Sequence, residues 1–270
     1  EVNAPLCLEM DRETGLELRP LARAMENWLF RKASRTIVVS GVMARILENQ
    51  GAPAERLVVM PNGVDGDLFH PGVDGAEVRS KLGLTDRFVV GFVGWVRPWH
   101  GVDRLLAAIA RLAEDRSGVH LLIVGDGPAM PDLLETAEDL GIRDRVHFTG
   151  ALAQEAIPRH IAAMDVAVQP DVTDYASPIK LFEYLAVGRP VMAPRKANIE
   201  EVVTDGDEAL LFRPGDTDDM ADCLERLQND ALRAHLADRA QRLVGQRDYF
   251  WSGNARKVAA LVQAPEERPA

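Results

Sequence analysis

Eight short apolar runs, most of them rich in β-branched residues, recur along the chain, usually with a stretch of helical period between one run and the next. That alternation restricts the fold more than anything else in the sequence. The runs span residues 36–39, 57–60, 88–93, 120–124, 146–148, 166–169, 191–193 and 209–212. They are largely continuous and do not switch regularly between apolar and polar positions, as expected of strands covered on both faces. Helical period predicts helices over 21–33, 42–49, 102–113, 130–140, 157–164, 178–187, 198–203 and 220–227. Repeated strand-then-helix units imply a parallel sheet with right-handed crossovers, hence a doubly wound α/β architecture. Two more helices, near 230–245 and 250–262, close the chain without a following strand, and the tail 264–270 is expected to fray.

The segment Pro61-Asn62-Gly63-Val64-Asp65, extended by Pro71, Gly72 and Gly75, interrupts this pattern. Proline and Asn-Gly punctuation of that density marks a turn or a domain connection. Upstream there is room for one or two α/β units, too few for a core of ordinary domain size. Downstream lie six strands with their helices, enough for a complete Rossmann-like domain. The expected organisation is therefore the end of an incomplete α/β domain over 1–62, a whole Rossmann-like domain over 63–245, and a C-terminal helix and tail over 246–270. The incomplete unit should expose apolar surface, so self-association is an expectation. The chain opens at Glu1 without a Met or a signal peptide, which reads as truncation or processing.

Composition excludes several classes of function. The chain carries 31 Lys and Arg against 42 Asp and Glu, a formal charge of −11. Nucleic-acid binding by phosphate neutralisation needs clustered positive charge and is excluded, whereas a small anionic ligand needs only one local site. Two cysteines, Cys7 and Cys223, make no disulfide framework, so a reducing compartment is expected. No apolar run approaches the length of a membrane span, and the expected location is cytoplasmic, with peripheral membrane attachment as the alternative. The six histidines show no metal-ligand spacing, and no metal is expected.

Two segments have the residues for anion chemistry. The run 88–94 ends on Gly94 and enters a loop holding Arg97 and His100. A glycine at the carboxyl end of a strand lets a ligand approach the backbone, and arginine binds phosphate through two hydrogen bonds. The alternative is an ordinary strand-to-helix loop with surface Arg and His. In the second segment Ser177 is a suitable N-cap and Pro178 a suitable first helical residue. The N–H groups of Ile179, Lys180 and Leu181 would then point out of a helix N-terminus, a ready anion site. Lys180 adds a charge, and Glu183, about one turn on, has the lone pairs to accept two ribose hydroxyls. The alternative is a well-capped helix with Lys and Glu in solvent. Gly125-Asp126-Gly127-Pro128 lacks the third glycine of a dinucleotide fingerprint, since Met130 occupies that position, and reads as a tight turn.

These segments, with Pro61–Asp65, Phe69, Pro71 and the stretches 146–150, 163–170, 177–190 and 205–216, occur in one order along the chain. Together they resemble the retaining GT-B glycosyltransferases of family 4, also called group 1 glycosyltransferases. The resemblance implies a donor-binding domain preceded by the last third of an acceptor-side domain, of which roughly 100 or more residues would be missing. It implies a nucleotide-sugar donor (UDP-, GDP- or ADP-linked), an acceptor of unknown identity, transfer with retention, and no metal or other cofactor. Gly94 matches the glycine that admits the diphosphate. The neighbouring family positions for Arg and Lys hold Trp95 and His100 here, which leaves Arg97, His100 and Lys180 to meet the phosphates with the 179–181 amides. Of the family's two glutamates, Glu183 matches the one that holds ribose. Tyr175 replaces the one that faces the transferred sugar, so Asp174, Tyr175 and Ser177 are the implied sugar-facing group. Asn198 and Glu201 match positions on the far side of the pocket. The catalytic base is not placed; it would lie near residues 1–3 or in the missing part. The isolated chain is expected to transfer poorly. Two other readings stay open: a donor-binding subunit that needs a separate acceptor-domain partner, and a nucleotide-sugar epimerase or phosphorylase of the same fold.

Overall fold

The computed structural model describes residues 1–13, 15–113 and 118–263; the tail 264–270, expected to fray, lies outside the described residues. The strands are β1 (Thr36–Val38), β2 (Leu57–Val59), β3 (Phe88–Val93), β4 (Val119–Val124), β5 (Val146–Phe148), β6 (Val166–Val168), β7 (Val191–Pro194) and β8 (Ala209–Phe212). Through the first half run helices α1 (Leu6–Glu13), α2 (Arg19–Lys32), α3 (Gly41–Asn49), α4 (Ala76–Leu82), α5 (Val102–Ala113) and α6 (Met130–Asp139). They are followed by α7 (Ile157–Ala162), α8 (Ile179–Ala186), α9 (Ala197–Glu200), α10 (Thr217–Arg226), α11 (Asp230–Gln246) and α12 (Trp251–Gln263).

β3 to β8 form one parallel sheet in the order β5-β4-β3-β6-β7-β8. Side chains alternate across a strand, so a fully apolar strand must be covered twice. In β3, Val89 and Val93 enter one core and Val90 and Phe92 the other. The first core is covered by α8 and α11 through Leu181, Leu185, Ala240 and Leu243, the second by α5 and α10 through Leu105, Ile109, Met220 and Leu224. The doubly wound architecture read from the runs is what forms.

β1 and β2 make a separate two-stranded parallel sheet linked by α3, with its own small core of Phe30, Val38, Met43, Ala44, Leu47 and Ala52. Above it α2 leaves Leu21, Met25, Trp28 and Leu29 each more than half exposed. The chain's end returns to the junction. Val64 accepts from Trp251 and donates to Tyr249 at 3.1 and 3.0 Å, and the Asn254 amide donates to the Pro61 carbonyl at 2.8 Å.

Two helices were not foreseen. α4 has one buried apolar residue, Val78, and follows directly on the Gly75 punctuation, ending at Gly83 in the left-handed conformation. α1 is only eight residues long and shows two exposed apolar side chains, Leu6 and Met10. Among the described residues no helix is long and apolar enough to cross a membrane.

Candidate functional site

The sheet order reverses between β3 and β6, and in such sheets ligands bind outside the carboxyl ends of the strands at that reversal. Three loops meet there: 94–101 after β3, 125–128 after β4 and 169–178 after β6. The first two pair as a continuation of the sheet. Gly94 N–H donates to Val124 at 2.9 Å, Val96 N–H to Asp126 at 2.7 Å, and Ala129 N–H to Val96 at 3.2 Å. This contact requires glycine. A Cβ on Gly125 would sit 2.1 Å from the Gly94 carbonyl oxygen, and one on Gly127 2.2 Å from that of Val96. Gly125-Asp126-Gly127-Pro128 is thus a close-packed turn.

α8 starts against this pair of loops. Its Lys180 ammonium lies 4.4 Å from the centre of the Phe92 ring. A Cβ on Gly94 would come within 2.9 Å of that nitrogen, so the glycine at the end of β3 makes the space the ammonium fills. One turn on, Tyr184 is fully buried and its hydroxyl accepts from the Val93 N–H at 2.8 Å, which locks α8 to β3. Burial lowers the Lys180 pKa to about 8, with the nearby Glu183 opposing. Burial also raises Glu183 to about 7, with Lys180 opposing. The two groups share a poorly solvated crevice in which an added anion and added hydroxyl donors would each find a partner.

His100 stands beside them, its ring 5.7 Å from Phe92. Its pKa falls to about 4, first through burial and then through the Lys180 charge. Without a ligand it is therefore largely neutral at pH 7. Its Nδ1 accepts from the Arg97 N–H at 3.3 Å and braces the loop. Arg97 is exposed, with its guanidinium 4.8 Å from the centre of the Trp99 ring.

The cap read from the sequence is corrected. Pro178, not Ser177, is the N-cap of α8, and it makes no side-chain cap. The buried Ser177 hydroxyl instead accepts from Asn62 N–H at 2.9 Å while the Asn62 amide donates to the Ser177 carbonyl at 2.6 Å, so Ser177 joins the two parts of the chain. Leu181 is also corrected: its N–H donates to Pro178 at 3.0 Å and its side chain is buried in the core. Ile179 and Lys180 remain as first-turn donors, since their N–H groups have no acceptor within the helix.

The loop after β6 carries a charged group that sequence reading missed. Asp171 pairs with Arg104 and lies 2.8 Å from the Lys196 ammonium, which also meets Asp174 at 3.1 Å. Burial would lower the Lys196 pKa, but hydrogen bonds to Asp171 and Asp174 raise it. The signal for Asp171 was its place directly after Gln169-Pro170 at the carboxyl end of a central strand. Tyr175 donates its hydroxyl to Glu9 of α1, and its carbonyl accepts from Ser40 Oγ at 2.7 Å. Glu9, Trp99, Asp171, Asp174, Tyr175 and Lys196 line a cavity of about 350 Å³. Asn198 and Glu201 do not line it. The buried Asn198 amide donates to the carbonyls of Thr173 and Ala176 at 3.0 and 2.7 Å and so shapes the loop from behind. Glu201 accepts from Gly41 N–H at 2.7 Å. Among the described residues no three His, Cys, Asp or Glu side chains gather as a metal site.

Comparison with known proteins gives the family. Residues 87–230 match the model of the group 1 glycosyl transferases and residues 9–68 that of Glycosyltransferase Family 4. The alpha-D-kanosaminyltransferase of Streptomyces kanamyceticus is 30% identical over 82% of the chain and 58% of its own length. A GDP-mannose-dependent phosphatidylinositol monomannoside mannosyltransferase of Mycolicibacterium smegmatis is 30% identical over 94% of the chain and 69% of its own length. Anabaena HepE, solved in complex with UDP-glucose, superposes with a TM-score of 0.80 at 27% identity, covering 90% of the chain and 67% of HepE. The chain thus spans between 58% and 69% of the length of these three proteins.

Proposed function

The chain belongs to the group 1 glycosyltransferases, and from that premise we propose that it transfers a sugar, with retention, from a nucleotide-sugar donor held on residues 63–245 to an acceptor approaching from the side of residues 1–62. The observation that carries this reading is the Lys180–Glu183 pair on the first turns of α8, set against Gly94 where the sheet order reverses. Cleavage of the bond to the donor phosphate puts positive charge on the sugar ring and negative charge on the departing diphosphate. Donors already aimed at the phosphate lower that barrier without reorganising. Lys180, Arg97 and the first-turn amides of Ile179 and Lys180 are those donors, and Glu183 accepts from the ribose hydroxyls once ionised. No step calls for a metal. Anabaena HepE, solved with UDP and with UDP-glucose, supports a nucleotide-sugar as the donor.

The test is incubation of the full chain with UDP-glucose or GDP-mannose and a panel of polyol acceptors that includes 2-deoxystreptamine and inositol phosphate, with the anomeric configuration of any product read by NMR. An axial product from an axial donor supports the reading. An inverted product, or the donor converted to an isomer without any acceptor, overturns it. The exposed apolar face of α2 supports self-association, which light scattering reads directly; a monodisperse monomer at high concentration would overturn that part.

A further inference from the structure

We propose that Glu9, held by the hydroxyl of Tyr175, is the carboxylate that binds the hydroxyls of the sugar ring being transferred, inside the cavity between α1 and the loop after β6. The assignment rests on the donor reading above. The anomeric carbon of a nucleotide-sugar is bonded directly to a phosphate oxygen, so the ring must lie beside the cations that hold the diphosphate. The cavity of about 350 Å³ adjoins one of them, Arg97, through Trp99. Its Trp99 wall is the ring on which Arg97 stacks, and a Cβ on Gly101, next to His100, would be 3.1 Å from the Asp171 Cβ. A half-exposed indole offers an apolar plane for the C–H face of a sugar, while carboxylates accept from its hydroxyls.

Three carboxylates line this space, and their engagements separate them. Asp171 is taken up by Arg104, Lys196 and the Val172 N–H at 2.8 Å. Asp174 is bound to Lys196, and its side chain is 78% exposed. Glu9 accepts from a neutral phenol, the Tyr175 hydroxyl. An ionised carboxylate has about four lone-pair sites, and one phenolic donor occupies one of them. Glu9 therefore keeps lone pairs for two neighbouring hydroxyls. Tyr175 is the positioning residue. Its carbonyl is tied to the Ser40 hydroxyl, which also caps α3 by accepting from Met43 N–H at 3.0 Å, and its partly buried side chain packs on the small core of residues 30–52. The carboxylate comes from one part of the chain and its orientation from the other, so the sugar site is complete only when the two parts are apposed.

Calorimetric titration of the full chain, its Glu9→Gln variant and its Tyr175→Phe variant with UDP, UDP-glucose, GDP and GDP-mannose tests this. Glu9→Gln is expected to keep nucleoside diphosphate affinity within about twofold and to weaken the matching nucleotide-sugar roughly tenfold or more, with Tyr175→Phe acting in the same direction. General loosening of the loop would weaken both ligands together and overturn the proposal, as would nucleotide-sugar affinity unchanged in Glu9→Gln. Failure of the unaltered chain to bind any of the four would overturn the donor reading itself, and the assignment with it.

Discussion

Replacing Lys180 by Met keeps the length and most of the volume of the side chain and removes its charge. The ammonium lies 4.4 Å from the Phe92 ring centre and against Gly94, in a crevice where burial lowers its pKa to about 8. A charge-assisted hydrogen bond contributes about 1.5–3 kcal/mol, so Lys180→Met should weaken nucleoside diphosphate binding roughly 10- to 100-fold. The low pKa adds a second signature. Only the charged amine binds phosphate well, so the native chain should lose affinity as pH rises above 8, by up to tenfold per pH unit until the neutral-amine limit is reached. A terminal phosphate ionises near 6, well below that window, so the slope belongs to the protein. Lys180→Met should lose that fall; with the Lys180 charge no longer holding Glu183 down, any pH dependence it keeps above pH 7.5 should be a rise as Glu183 ionises. Titration calorimetry at four pH values reads both effects. A variant that binds within twofold of the native chain, or that keeps its pH slope, would refute the placement of the diphosphate at Lys180.

Tyr184→Phe leaves the buried Val93 N–H without its acceptor and should cost about 1–3 kcal/mol, a fall of several degrees in a thermal scan; an unchanged midpoint would mean the bond contributes nothing. Gly125→Ala places a methyl 2.1 Å from the Gly94 carbonyl, so it should lower both thermal stability and nucleotide affinity, whereas Gly245→Ala, in a helix with nothing within 4 Å, should be neutral or stabilising. Glu183 ionises at about 7 when folded against an ordinary value of 4.5, so the folded state binds more protons between those pH values and the group removes stability as pH rises through them. Glu183→Gln should therefore raise the midpoint more at pH 8 than at pH 5 while weakening nucleotide binding; the opposite pH trend would contradict the burial of this carboxylate.

The sheet was legible because each strand is covered twice and so writes an unbroken apolar run, as in 88–93. Lys180 and Glu183 were legible for a related reason: they follow a strand-loop-helix transition at helical spacing. Local cap chemistry misled at Ser177, where a Ser-Pro pair satisfies every rule for a helix start, yet the hydroxyl is taken by Asn62, 115 positions away. The burial that lowers the His100 pKa was not legible, because sequence carries no measure of burial. Glu9 left no trace at all. Its partner Tyr175 lies 166 positions along the chain, and α1 itself is only eight residues long.

The central claim is that α8 and the loop after β3 hold the nucleotide of the donor. Calorimetric titration of the chain with UDP, GDP and ADP, alongside Glu183→Ala, tests it most directly. One of the three nucleotides should bind at micromolar concentration, and the substitution should weaken it roughly tenfold to hundredfold, the loss of charge-assisted hydrogen bonds to ribose. Binding that Glu183→Ala leaves unchanged, or no binding by any of the three, would contradict the account.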